Sequence, residues 1–131
     1  MASAVHIVCF VAYAGEEGTT SEAIARSLQT NAVVVRKMLK LLEGEGLVEL
    51  RQGKNGGVVL ARDPADITLG QIYKAVEREE GVLSMRSQVS PRCPVARGMR
   101  SLLPAVFGSA NEAVQDSLSR TTVAGLLSAI P

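Results

Sequence analysis

Tryptophan is absent from the 131 residues and aromatic side chains make up only 3% of them, so the ring pillars of an aromatic-cored β-sandwich are missing. The apolar 47% is drawn largely from Ala, Val and Leu, a mixture suited to packing helix on helix. A mostly α fold is expected. Cysteine is scarce too. Cys9 and Cys93 lie far apart and neither belongs to a closely spaced pair, which excludes the disulfide framework of a secreted mini-protein. No Gly-Lys-Ser/Thr string follows the glycine-rich stretch at 53–57, so a phosphate-cradling P-loop is unsupported. The apolar run from Ala4 to Ala14 has no basic leader and is too short to span a bilayer of roughly 30 Å. It reads as a buried first helix, and a cytoplasmic protein with no membrane partner is expected.

Excess charge is also lacking, since the net is only +1. Placement decides binding more than the sum does, however. Between Arg26 and Arg62 seven basic residues stand against Glu43, Glu45 and Glu49, and between Arg86 and Arg100 four arginines stand against no acid. Acids gather instead at Glu77, Glu79 and Glu80.

The pattern predicts a first helix from about Ser3 to Ala14, apolar nearly all round and therefore placed between other elements. Thr19 with Glu22 reads as a capping box opening a second helix, which buries Ile24 and Leu28 and ends near Gln29. Asn31 can cap a third helix reaching about Glu43 and stopping at Gly44 or Gly46. The short gap between them has helix-turn-helix spacing. On a helical wheel Val34, Val35, Met38, Leu41 and Leu42 share one arc, with Val33, Arg36, Lys37 and Lys40 opposite. A basic, nearly acid-free face fits an anionic partner, though a plain solvated face stays open at this point.

Leu47–Leu50 and Val58–Ala61 are β-prone runs enclosing Arg51-Gln52-Gly53-Lys54-Asn55-Gly56-Gly57, a hairpin whose tip glycines supply positive φ. Thr68–Val76 reads as a fourth helix with Ile67, Leu69, Ile72 and Val76 inward, and Gly81 closes this part. Beyond Pro91, Val95, Met99, Leu102, Val106, Ala110, Val114 and Leu118 recur at three- and four-residue steps as one long apolar stripe. Such a stripe suits pairing with a second copy. Pro104 predicts a kink or break near Leu103, and Thr121 or Thr122 a cap for a last short helix folding back on the body. The resulting organisation is a winged helix-turn-helix domain over 1–80 and a sensor loop with a dimerisation helix over 81–131.

The strings Thr30-Asn31-Ala32-Val33-Val34-Val35-Arg36-Lys37, Gly46-Leu47-Val48, Gly53-Lys54-Asn55-Gly56-Gly57-Val58-Val59-Leu60-Ala61, and Ile67-Thr68-Leu69 with Ile72-Tyr73-Lys74-Ala75-Val76-Glu77 resemble the bacterial Rrf family of winged-helix transcriptional regulators, of the IscR, NsrR and CymR type. The likeness extends over essentially the whole chain. It implies a homodimeric transcription factor whose late helix pairs subunits and whose two recognition helices enter successive major grooves. Ala32 stands where many relatives have proline, Gln52 where an arginine usually precedes the first wing glycine, and Val58 where an aromatic is usual. Cluster-binding relatives use three cysteines between the fourth helix and the dimer helix, and here that region holds only Cys93.

An iron–sulfur cluster wants about four protein ligands, mostly thiolates, so no cofactor and no metal site are expected. His6 and Cys9, at i and i+3, read as core residues of the first helix. Cys93 precedes Pro94, a favoured first helical residue, and so sits at a helix cap near Arg92 and Arg97, a setting that favours thiolate. It is the sensor candidate, against an inert cysteine packed under the dimer helix.

The expected function is a sequence-specific DNA-binding regulator, a repressor acting as a homodimer and responding to a redox or small-molecule signal. Asn31, Val33, Arg36, Lys37 and Lys40 would serve the major groove, with Val33 on a thymine methyl. Arg51, Lys54, Asn55 and Gly56 would track phosphate or the minor groove, and Thr20 and Ser21 would donate to the backbone. No catalytic residues are expected. The alternatives are a cysteine-dependent redox enzyme, for which His6 is poorly placed as a base, and a winged helix used for protein contacts.

Overall fold

Side chains that accept the first orphan amides decide where the helices start. Thr20, Asn31, Thr68 and Thr122 each stand in extended conformation and accept from the backbone N–H three residues on, at 3.0 to 3.2 Å. In the computed structural model, which describes residues 1–53, 56–77 and 81–131, the elements are α1 (Ala2–Ala14), α2 (Ser21–Leu28), α3 (Ala32–Gly44), β1 (Val48–Arg51), β2 (Gly57–Leu60), α4 (Leu69–Val76), α5 (Pro94–Leu118) and α6 (Val123–Ala129). Short 3-10 turns occupy Gly15–Glu17 and Pro64–Asp66. The cap of α2 is thus Thr20, one residue later than expected. Glu22 then falls on the second helical residue, so no Thr-Glu box forms there. The reciprocal box is found at Thr68 and Gln71.

One core joins the elements. Ile7, Val8 and Val11 of α1, Ile24 of α2, Val35, Leu39 and Leu42 of α3, Leu47, Ile67, Ile72 and Val123 are all essentially sealed from solvent. The buried side of α3 is rotated roughly 60° from the arc read off the sequence, at 100° per residue. Leu39 is buried, whereas Leu41 is 49% and Val34 38% exposed. Both faces offer enough apolar area, and the packing of α2 and β1 against α3 decides between them. The basic residues remain outside in either case.

The wing is a two-stranded antiparallel hairpin with Val48 opposite Leu60 and Arg51 opposite Gly57. A third segment joins it. Thr19 and Val58 exchange backbone bonds of 3.0 and 2.7 Å, which ties the wing to the residue just before the α2 cap. α1 is enclosed on one side only: Tyr13 is 84% exposed, and an apolar groove opens between α1 and α6.

α5 continues through Pro104 without the expected break. Pro104 is exposed, so the missing donor falls on a solvent-facing turn, where the carbonyl it would have served is open to hydration. The apolar stripe on α5 divides. Ala110, Val114 and Leu118 are half-buried, in the part where Gln115 donates to the Gly70 carbonyl of α4 at 2.9 Å. Val95, Leu102 and Val106 are more than 60% exposed. The Asn111 amide holds both backbone groups of Leu83, at 2.9 and 3.0 Å, and so fastens the segment ahead of α5 to it. α6 returns to pack on α1, as the folding-back reading expects.

Candidate nucleic-acid interface

The helix-turn-helix is closed by Gln29, which takes a left-handed conformation (φ 54°, ψ 45°) and lets α2 turn sharply into α3. This turn places the N-terminus of α2 beside the outer face of α3, and the Thr19–Val58 bridge brings the wing alongside. A groove of about 440 Å³ results. Thr20, Ser21, Arg36, Lys40, Arg51 and Gly56 from the expected site all line it, although they come from three separate elements.

Asn31, Val33 and Lys37 lie outside the groove. Asn31 spends its carbonyl oxygen on the Val34 N–H at 3.0 Å, leaving its NH2 group as the part able to reach a ligand. Val33 is 56% exposed on the outer face and Lys37 is exposed nearby. Arg51 ends β1 and its Nε donates to Glu49 Oε1 at 3.4 Å. Lys54 and Asn55 fall outside the described residues. Gly56 lacks the positive φ expected of the tip; there Gly53 carries it, at 97°. What Gly56 requires is space, because a Cβ would lie 2.7 Å from the carbonyl oxygens of Arg51 and Gly53.

Glu22, which the sequence pattern offers only as half of a capping box, also lines the groove. Glu22 Oε1 accepts from Arg36 Nη2 at 2.7 Å. The hydrogen bond from its own amide, and then the Arg36 guanidinium, hold the Glu22 carboxyl below the ordinary carboxylate range. The partners are fourteen positions apart on different helices, so no local spacing signals the pair.

A family model described as Rrf2, iron-dependent transcriptional regulator, matches residues 1–129. The chain belongs to the Rrf2 family. It is therefore a DNA-binding transcriptional regulator and not an enzyme. It is 36% identical over 119 residues to YwnA of Bacillus subtilis (strain 168), named as a candidate HTH-type transcriptional regulator, spanning 91% of this chain and 87% of YwnA. A solved structure of a candidate DNA-binding protein matches with a TM-score of 0.75 and 33% identity, covering 96% of this chain and 97% of that one. CymR, the global cysteine regulator of B. subtilis, shares the fold with a TM-score of 0.68 at 24% identity, over 98% of this chain and 92% of CymR.

Iron in the family description raises the question of ligands in this Rrf2 protein. Cys9 sits half-buried on α1 against the α6 groove, where burial pushes its thiol up and so disfavours thiolate. Cys93 is at the other expected place, the N-cap of α5, with Pro94 following and no capping bond from its side chain. His6 is not a core residue. It is exposed and its Nε2 pairs with Ser27 Oγ at 2.8 Å. Among the described residues no three His, Cys, Asp or Glu side chains gather as ligands. Two thiols so placed do not fit a cluster that needs about four. Arg86, Arg92, Arg97 and Arg100 are all exposed around the start of α5. Among the described residues no helix is long and apolar enough to cross a membrane.

Proposed function

We propose that this Rrf2 protein is a repressor acting as a homodimer on a partly palindromic operator, with half-site centres about one helical turn apart. Residues 1–80 form the DNA-binding part. Residues 81–131 form the sensor loop and pairing arm. The observation carrying this reading is the convergence of Arg36 and Lys40 of α3, Thr20 and Ser21 of α2, and Arg51 of the wing on one groove. In such a complex α3 enters the major groove. Arg36, Lys37 and Lys40 meet bases or phosphates, Val33 meets a thymine methyl, and the Asn31 amide reaches the backbone. Arg51 tracks phosphate beside the wing, where Lys54, Asn55 and Gly56 serve the same end by likeness to the family.

Pairing is supported by the uncovered half of the α5 stripe, where Val95, Leu102 and Val106 stand open to solvent. Large apolar side chains in a row on an exposed helix face suit a second copy of the same helix. Signal reception falls to the Cys93 region, with no resident cofactor. The thiol of Cys93 stands at the N-cap of α5, with Arg92 and Arg97 close in sequence, and is the group offered to an oxidant or electrophile. The deciding experiment uses the tightest duplex recovered by the wild-type protein from a random-sequence library. Arg36→Ala should weaken binding to it by about 1 to 3 kcal/mol, the scale of a good base contact, and sedimentation should give twice the chain mass. Unchanged affinity removes Arg36 as a reader. A sedimenting monomer removes the dimer.

A further inference from the structure

Glu22 is an acid in a groove whose other charged lining residues, among those described, are the cations Arg36, Lys40 and Arg51, which is where a DNA-binding surface has least use for one. Its position makes sense through its partner. Arg36 Nη2 is tied to Glu22 Oε1 at 2.7 Å, while Ser21 Oγ donates to Glu22 Oε2 at 3.5 Å. Glu22 is the second residue of α2, where the helix dipole favours a carboxylate. Both Glu22 and Arg36 remain more than half exposed, so the pair contributes little to stability. It does restrict direction. A guanidinium has five N–H donors in a rigid fork, and tethering one terminal nitrogen leaves the rest of the planar group free for a two-point contact with the O6 and N7 acceptors of guanine. An untethered arginine on the same turn is free to swing to the nearest phosphate, a contact that carries no sequence information.

We propose that Glu22 is a positioning residue that sets sequence specificity: its ion pair aims Arg36 at a guanine edge, and its negative charge keeps phosphate from capturing the same guanidinium. This rests on the reading that α3 enters the major groove. A repulsive element of this kind lowers binding to wrong sites more than to the right one.

The test compares the library-selected duplex with a scrambled duplex of the same composition. Glu22→Ala should shrink the ratio of the two dissociation constants by about tenfold, the low end of the value of one bidentate base contact. The loss should come from both sides, with weaker binding to the selected duplex and tighter binding to the scrambled one. Glu22→Gln keeps an acceptor for Arg36 without the charge, so it should retain most of the selected-duplex affinity while binding the scrambled duplex more tightly. In an Arg36→Ala background, Glu22→Ala should leave the ratio where Arg36→Ala put it. Replacing guanines of the selected duplex one at a time by 7-deazaguanine should find one position that costs the wild type affinity and costs Glu22→Ala much less. The proposal is overturned if Glu22→Ala keeps the wild-type ratio while Arg36→Ala lowers it, or if Glu22→Ala lowers it equally with and without Arg36. Should Arg36→Ala keep the full ratio, the major-groove reading of Arg36 falls and this proposal with it.

Discussion

Replacing Gly57 by alanine puts a methyl group where the backbone of another segment already lies. A Cβ there would come within 2.5 Å of the Thr19 carbonyl oxygen and 3.4 Å of its carbonyl carbon. Neither atom belongs to a flexible side chain, so the wing must move away from Thr19. The movement removes the two bonds between Thr19 and Val58, at 3.0 and 2.7 Å, each worth about 1 kcal/mol net. Residual crowding adds about 1 kcal/mol, the low end for an overpacked site. The φ of 158° at Gly57 is one that residues with a side chain rarely adopt, so alanine's entropic advantage over glycine is not recovered. A net loss of about 3 kcal/mol follows from these terms, and at this chain length each kcal/mol lowers the thermal midpoint by about 4 °C. Melting should be followed at fixed protein concentration, because association makes the midpoint depend on it. Gly44→Ala is the control: a Cβ at Gly44, on the last turn of α3, meets nothing within 4 Å, and the change should stabilise by up to about 1 kcal/mol. If Gly57→Ala melts with the wild type, the Thr19 bridge does not hold the wing and the groove it closes is not a fixed feature.

The rotated face of α3 is checked by a pair of variants: Leu39→Ala should cost about 2 to 5 kcal/mol in urea denaturation, while Leu41→Ala should stay within about 0.5 kcal/mol, and the reverse order would restore the arc read from the sequence. Gln29→Gly should raise stability by up to about 1 kcal/mol, since a side chain in the left-handed region costs about 1 to 2 kcal/mol and glycine returns part of that as unfolded-state entropy; a destabilised variant would show that the turn is not left-handed. The Glu22 carboxyl should titrate by NMR below its ordinary 4.5. Its depressed value means that what the interaction contributes is present above pH 4.5 and is lost as pH falls through the lower, folded-state value. Arg36→Ala should move that midpoint up without reaching 4.5, because the bond from the Glu22 amide is the larger cause. A midpoint unmoved by Arg36→Ala would mean the ion pair does not persist in solution.

Much of the molecule was legible because its controlling interactions are short in sequence. Asn31, Thr68 and Thr122 cap helices through bonds to residues three positions on, and the glycines at 53–57 mark a turn between two β-prone runs. The structure departs from the sequence pattern where the deciding partner is distant. The Thr19–Glu22 spacing predicts a cap at Thr19, but its backbone is taken by Val58, which leaves the cap to Thr20. Pro104 predicts a kink or break near Leu103, and α5 runs on unbroken because the donor it lacks would have served an exposed turn. The apolar run around His6 predicts a core position, whereas the side chain lies on the side of α1 facing Ser27 of α2.

The order of helices, the wing and the outward basic face of α3 were determined by the sequence itself, since caps, turns and helical periodicity act over a few residues. Tertiary structure alone decided which apolar side of α3 is buried, which half of the α5 stripe is left uncovered, and that Glu22 stands against Arg36. Each of these depends on how separate elements share one core. The free energy of burying a face depends on what lies opposite it, and nothing in a helix's own residues records its neighbour.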